Sequence, residues 1–364
     1  MQGTSVREHL HAVLMAGGSG TRFWPASRAA RPKQLIRLSG MRTLIQETYD
    51  RIRPLVDPER ILVVTGKFHA KAVGQQLPEL PRENLLIEPV GRNTAACAGF
   101  AALTVVERDP EALVALFPSD HVIKRAKDWA DLVHQGARLA AAHDAVVTFG
   151  LEPTRPETGF GYIRVGDALD DQSAPTARRV AEFVEKPNLE KAIGFLASRQ
   201  YLWNSGVFVA SARKLLALIR EHAPAVATGL DRIAGALPAK RARLVDRVYP
   251  EIPSVSLDGG VMEKAGNLLV IPAQVGWSDV GSWSALHEVL PADERGNVTL
   301  GSAIAVDSSG CVLYSAGATI AALGLRDLIV VQTPDAILVC PKDRAQEVRQ
   351  IVDRLRSEKK DNLL

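Results

Sequence analysis

An apolar run that ends in three glycines within four positions, Ala12-Val13-Leu14-Met15-Ala16-Gly17-Gly18-Ser19-Gly20-Thr21-Arg22, constrains this chain more than any other stretch. The apolar part reads as a buried strand running into a turn. The glycines leave backbone N–H groups unshielded, so several can converge on one anion. Charge agrees: between His9 and Gln46 there is no Asp or Glu, while Arg22, Arg28, Arg31, Lys33, Arg37 and Arg42 all fall there. Glycines alone favour an anion site only modestly over a tight strand-to-turn junction. With the acid-free window, a phosphate-bearing polyanion is the expectation. A dinucleotide fingerprint would need a glycine where Phe23 stands and a helix opening at once, yet Pro25 and Pro32 keep the chain extended or turning. A P-loop would need Gly-Lys followed by Ser or Thr, and that triplet is missing.

The strand pattern recurs in Ile61-Leu62-Val63-Val64, Leu85-Leu86-Ile87, Leu113-Val114-Ala115-Leu116-Phe117 and Ala145-Val146-Val147-Thr148-Phe149. Helical patterns separate the runs at 44–52, 94–106 and 129–142. Continuous apolar strands alternating with helices predict an α/β fold, a mostly parallel sheet with helices on both faces. Ligands of such sheets sit beyond the carboxyl ends of the strands. That places the glycine loop, Glu88-Pro89-Val90-Gly91-Arg92-Asn93-Thr94 and Pro118-Ser119-Asp120-His121 along one rim. From 151 onward turn-rich β structure is expected to supply a second pocket. Gly296-Asn297 marks a boundary, giving a domain at 1–295 and another at 296–364. The second reads as a small β module of short strands closed by a helix with Val348, Ile351, Val352 and Leu355 on one face.

Composition narrows the function classes. The net charge of +3 over 364 residues is too small to argue for nucleic acid. No apolar run approaches the roughly 18 to 20 residues of a membrane span, and no leader pattern opens the chain, so a cytoplasmic protein is expected. Cys97, Cys311 and Cys340 have no metal-ligand spacing and read as buried, inert thiols.

Two acids follow apolar strands, Asp120 and Asp279. On one rim with a phosphate loop they would share a Mg2+ whose other ligands are phosphate and water; taken singly, each would as readily cap a turn or start a helix. Lys186, between Glu185 and Pro187, has its backbone set by the proline and offers a point charge for phosphate, or is simply a surface lysine. Glu185 and Asn204 are hydroxyl-binding types, and Gly159 and Gly161 would let a sugar ring approach the backbone. His121 reads as a structural hydrogen-bonder, and Trp203, Trp277 and Trp283 as core. No Ser-His-Asp or Cys-His arrangement can be argued, which suits phosphoryl or nucleotidyl transfer, where positioning and charge neutralisation do most of the work.

These residues, in order, resemble a family. Gly17-Gly18-Ser19-Gly20-Thr21-Arg22 with Pro32-Lys33-Gln34 is similar to the signature of sugar-1-phosphate nucleotidylyltransferases. Glu88-Pro89 with Gly91-Arg92-Asn93-Thr94-Ala95, Asp120-His121, Glu157-Thr158-Gly159, Glu185-Lys186-Pro187, Trp203-Asn204-Ser205-Gly206 and Trp277-Ser278-Asp279-Val280-Gly281 resemble the mannose-1-phosphate guanylyltransferase branch. The resemblance implies a Rossmann-like nucleotidyltransferase sheet followed by the small β module, and transfer of GMP from GTP to α-D-mannose 1-phosphate with Mg2+. It implies that Arg22 and Lys33 stabilise the triphosphate and the departing diphosphate, and that Asp120 and Asp279 hold the metal. Lys186 would bind the sugar phosphate, and Glu185, Asn204 and Gly161 the mannose. Leu14, Ala16, Gly17, Gly18, Ser19, Gly20, Thr21, Asn93 and Thr94 would line the nucleotide site. Ser256-Leu257-Asp258-Gly259-Gly260 carries two glycines where the family usually has a larger residue and a small one, which bears on the shape of the sugar pocket. The sequence ends before the isomerase domain of longer relatives, so transferase activity alone is expected. A related transferase with another base or sugar is the alternative. A non-catalytic sugar-nucleotide-binding homologue would be marked by loss of Arg22, Lys33, Asp120 or Asp279, and all four are present. Exposed edges in the terminal module suit a homodimer.

Overall fold

The computed structural model describes residues 3–18, 20–38, 40–236 and 238–364. By their contacts the residues form two compact units. The larger comprises Met1–Gly17, Tyr49–Pro118 and Arg125–Val275; the smaller comprises Gly18–Thr48, Ser119–Lys124 and Gly276–Leu364.

The first eleven strands in chain order are β1 (Leu10–Ala16), β2 (Ile61–Gly66), β3 (Leu85–Glu88), β4 (Leu113–Pro118), β5 (Val122–Ile123), β6 (Val146–Leu151), β7 (Gly161–Ala168), β8 (Arg178–Glu185), β9 (Tyr201–Ser211), β10 (Leu268–Pro272) and β11 (Trp277–Ser278). All but β5 and β11 join one nine-stranded sheet, ordered β3-β2-β1-β4-β9-β6-β10-β8-β7, which organises the larger unit. Val13 and Leu14 point to opposite faces of β1, and both are fully buried, as the apolar run requires. β1 runs parallel to β2 and β4, and β2 to β3. The expectation of a mostly parallel sheet needs correction, however. β9 enters between β4 and β6 antiparallel to both, and β8 pairs antiparallel with β7 and β10. The sheet is mixed. Continuous apolar content reports burial on both faces, and a central antiparallel strand meets that condition as well as a parallel one. The helix Asn93–Arg108 buries its alanines in the same core. At Gly99 a Cβ would come within 2.3 Å of the Leu230 Cδ1 methyl, so a larger residue there would have to displace that side chain of the helix Pro224–Ile233.

In the smaller unit β5 pairs with β11 antiparallel. Beyond them lie β12 (Val298–Leu300), β13 (Ala303–Val306), β14 (Val312–Ser315), β15 (Ile320–Leu323), β16 (Leu328–Thr333) and β17 (Ala336–Pro341). The chain passes alternately through two small sheets. β12, β14 and β16 stack in parallel, with Val298 beside Val312 and Val312 beside Ile329, while β13 pairs in parallel with β15. The module is therefore a β coil, closed by β17 folding back antiparallel on β16. Its core includes Phe23, Trp24, Trp283, Val298, Val312, Ile329 and Val352. The residues just after the glycine loop are thus built into the coil: Trp24 Nε1 donates to Leu363 O at 2.8 Å, and Trp283 Nε1 to Trp24 O at 3.1 Å. The terminal helix Val348–Ser357 buries Val348, Val352 and Leu355. Ile351, expected on the same face, is 37% exposed at its margin.

All three cysteines are free thiols; Cys97 and Cys311 are buried and Cys340 is half-buried. Among the described residues no helix is long and apolar enough to cross a membrane.

Candidate active site

Gly20 adopts a left-handed backbone, φ 57°, and caps the short turn Thr21–Phe23. A Cβ there would lie 2.5 Å from Lys33 Cβ and 2.7 Å from Lys33 N, so the glycine makes room for the Lys33 backbone to pass beneath it. Ser27 Oγ clamps the bend by donating to Gly20 O at 2.6 Å. Lys33, only 7% exposed, is seated this way in the wall of a cleft of about 320 Å³. Gly18, Arg22, Asp120 and Asp279 line the same cleft. All four residues expected to act on the triphosphate and metal therefore meet in the smaller unit. Gly20→Ala is expected to cost about 2–4 kcal/mol of stability, combining left-handed strain with the close approach. The urea midpoint reads this directly, and an unchanged midpoint would show that Gly20 does not seat Lys33.

The Lys33 ammonium donates to Asp120 Oδ2 at 2.9 Å and to the Asp279 carbonyl at 2.5 Å. Burial pushes the Asp120 carboxyl up, but the charges of Lys33 and His121 more than offset this and hold it below the ordinary carboxylate range. His121 accepts from Trp277 Nε1 through Nδ1 at 3.2 Å, and its Nε2 lies 3.8 Å from Asp120 Oδ1. His121 is thus the structural hydrogen-bonder expected. Asp279 Oδ1 accepts from Gly281 N at 3.1 Å. Between them Val280, fully buried, is held left-handed at φ 44°, a costly conformation for a β-branched residue. Arg22 is exposed and its guanidinium donates to Gln346 Oε1 at 3.1 Å, a coil-side partner that the sequence does not announce.

The donors suit Mg2+. That ion takes hard oxygen ligands, commonly one or two carboxylates with water and phosphate completing the shell. Asp120 and Asp279 on one cleft are such a pair. Among the described residues no three or more His, Cys, Asp or Glu gather as a metal-binding group.

A second polar cluster lies within the larger unit. Gly161 opens β7 opposite Glu185, the last residue of β8. A Cβ on Gly161 would stand 2.9 Å from Glu185 Oε2 and 3.3 Å from Asn204 Cβ, so Gly161, Glu185 and Asn204 converge. Lys186 Nζ donates to Glu185 Oε1 at 2.6 Å. Its backbone is left-handed, φ 47°, ahead of Pro187, and its N–H donates to Phe160 O at 3.2 Å. Asn204 Nδ2 donates to Asp258 Oδ1, and Asn204 Oδ1 accepts from Thr148 Oγ1, both at 2.9 Å. Burial, reinforced by the Glu185 charge, pushes the Asp258 carboxyl up to about 6. Sequence reasoning named the Ser256-to-Gly260 segment for its glycines but gave Asp258 no role; the acid directly before those glycines was the available signal.

The residues expected to line a nucleotide site divide. Leu14 and Ala16 are buried in β1, so a ligand at the end of that strand could meet only their backbone. Gly17, Gly18 and Gly91 each face open space where a Cβ would stand, so packing does not account for these three glycines. Asn93, left-handed at φ 64°, accepts from Thr94 N through Oδ1 at 2.8 Å. Thr94 Oγ1 accepts from Leu257 N at 2.7 Å and is engaged structurally. Thr21 lines the cleft with Arg22, whereas Ser19 lies outside the described residues.

Comparison with known proteins gives consistent matches. Residues 11–296 match the nucleotidyl transferase family, and 301–355 the mannose-P isomerase/GMP-like beta-helix domain. A mannose-1-phosphate guanylyltransferase of Salmonella montevideo is 39% identical over 351 residues, 95% of this chain and 74% of that one. Its namesake in Klebsiella pneumoniae is 39% identical over 94% of this chain and 73% of its own. A crystal structure described as a mannose-1-phosphate geranyltransferase from Thermus thermophilus superposes with a TM-score of 0.85 at 36% identity, covering 96% of this chain and 99% of that one.

Proposed function

The chain belongs to the mannose-1-phosphate guanylyltransferase family and is a nucleotidyltransferase, and from that premise we propose that it transfers GMP from GTP to α-D-mannose 1-phosphate. The observation that carries the reading is the meeting of Arg22, Lys33, Asp120 and Asp279 in one cleft with Gly18 and Gly20. A phosphate oxygen of the sugar phosphate attacks the α-phosphorus of GTP in line. The new P–O bond forms as the bond to the bridging oxygen breaks, and its electron pair leaves with diphosphate. Arg22 and Lys33 neutralise that leaving group, and loop N–H groups hold it in position. Asp120 and Asp279 would hold Mg2+, which when bound would supply further neutralisation of phosphate charge. Lys186 takes the phosphate of the sugar, while Glu185, Asn204 and the Gly161 backbone take mannose hydroxyls. The backbone of Leu14, Ala16 and Gly17, with Ser19, Thr21, Asn93 and Thr94, lines the nucleotide site.

In this reading residues 1–295 carry catalysis and 296–364 brace it, supported by the hydrogen bond from Arg22 to Gln346. The compartment is the cytoplasm and the assembly a homodimer; exposed Ile304, Val306 and Leu323 on β13 and β15 support the second point. The test is diphosphate release from a panel of GTP, ATP, UTP and dTTP, each paired with mannose 1-phosphate or glucose 1-phosphate in the presence of Mg2+. GTP with mannose 1-phosphate is expected to lead every other pair by at least about tenfold in kcat/KM. A different leading pair would establish the alternative base or sugar, and no release from any pair would overturn the reading.

A further inference from the structure

We propose that Asp258 is a positioning residue that fixes the Asn204 carboxamide for the sugar phosphate; the inference rests on the reading of Asn204 as a sugar-binding side chain. Asn204 is 7% exposed, and both ends of its amide are committed. Asp258 Oδ1 can accept from it but not donate while ionised, so the Asn204 nitrogen must face Asp258; this turns the oxygen to the Thr148 hydroxyl, whose one proton it shares with Val207 O, each at 2.9 Å. With one Nδ2 proton spent on Asp258, the planar amide sets the direction of the other.

Asp258 is itself held on a fixed backbone. It sits in the short turn Leu257–Gly260, whose cap Ser256 accepts from Gly259 N through Oγ at 3.2 Å. Leu257 N donates to Thr94 Oγ1 at 2.7 Å, and Ala95 N donates to Val255 O at 3.1 Å. A continuous set of hydrogen bonds therefore runs from the first turn of the helix Asn93–Arg108, through 255–258, to Asn204. Keeping an acid here is costly, because Asp258 is half-buried and its carboxyl loses solvation beside the Glu185 charge. Gly259 lets the segment come this close: a Cβ there would stand 3.3 Å from Glu185 Cγ. An acid that packing alone would disfavour is explained by the hydrogen bond it makes.

Initial rates across both substrates test this for Asp258→Ala, Asp258→Asn, Asn204→Ala and the double variant Asp258→Ala/Asn204→Ala. Asp258→Ala is expected to raise the KM for mannose 1-phosphate about tenfold, as loss of a charge-assisted hydrogen bond implies, with kcat and the KM for GTP within about twofold. Asp258→Asn keeps an acceptor for Asn204 and should return that KM to within about threefold of the natural protein. On the Asn204→Ala background, Asp258→Ala should change it by less than about twofold. A full tenfold effect on that background, or an Asp258→Asn variant as impaired as Asp258→Ala, overturns the proposal. If Asn204→Ala leaves the KM for mannose 1-phosphate unchanged, the sugar-binding reading of Asn204 is what fails. Thermal melting checks the fold, and if Asp258→Ala does not fold, Asp258→Ser replaces it in every comparison with the same criteria.

Discussion

Lys33→Met lowers kcat/KM by about two to three orders of magnitude and, in the same protein without substrates, tightens binding of a free divalent cation by about tenfold or more. The two effects share one cause. The Lys33 side chain is 8% exposed, and its ammonium bridges the Asp120 carboxylate and the Asp279 carbonyl. Without substrates, Lys33 is thus the counter-ion of the Asp120 carboxylate, one of the two acids proposed to hold the metal. A free cation entering the cleft meets a positive charge already in place, whereas a triphosphate offers that ammonium a new partner. Lys33 therefore favours joint arrival of metal and nucleotide over metal alone. Electron paramagnetic resonance of Mn2+ titrated into the substrate-free protein reads the affinity without any turnover. Cation affinity unchanged in Lys33→Met would show that the ammonium does not guard the carboxylates. The variant also deprives Asp120 of the closer of its two cationic neighbours, so its melting temperature should fall and be restored by added cation. In the natural protein Asp120 is held below its ordinary value of 3.8, so the stability it contributes is present above that value and lost as pH falls through the depressed one.

The cleft was legible in the sequence because its parts are punctuated locally. Glycines before Arg22, a proline before Lys33, and acids at strand ends each mark a place where backbone geometry and charge coincide. Their meeting in one cleft follows from strand ends and turns, which local patterns describe well. What local patterns do not carry is direction and long-range pairing. The apolar residues of 201–211 announce a buried strand, yet nothing in them says that β9 runs against both of its neighbours. The short strands after 296 announce β structure, but their parallel stacking depends on registers such as Val298 beside Val312 and Val312 beside Ile329, spaced irregularly enough to hide a repeat. Nothing beside Trp24 in the sequence announces that the end of the chain accepts its indole hydrogen bond, at Leu363. Asp258 escaped for a further reason. An acid before two glycines is ordinary turn composition, and its burial beside Glu185 is visible only once β8 and the 256–260 turn are brought together.

Asp258→Asn should make the protein more stable at pH 8 and leave it nearly unchanged at pH 4, the reverse of what removing a buried partner usually does. The sign follows from the direction of the shift. Asp258 sits at about 6 in the folded chain against an ordinary value of 3.8, with burial the larger cause and Glu185 the next. Above pH 6 the group is ionised in both folded and unfolded chains, and the folded chain bears the whole cost of the buried charge. As pH falls from 6 toward 3.8, the folded chain takes up its proton first and gains stability. Below 3.8 both forms are protonated and the difference vanishes. A shift of about two units corresponds to about 3 kcal/mol at the alkaline end, reduced by whatever the hydrogen bond from Asn204 gains from a charged acceptor. The carboxamide introduced by Asp258→Asn would still accept from Asn204, and its own N–H would face the Glu185 carboxylate, replacing a repulsion by an attraction. Urea unfolding of both proteins at pH 4, 6 and 8 should show midpoints that nearly coincide in acid and separate as pH rises. A separation constant across that range would mean that Asp258 does not titrate there. Its acid would then be neutralised by a partner other than its own proton, and Lys186, which already donates to Glu185, would be the group to replace next.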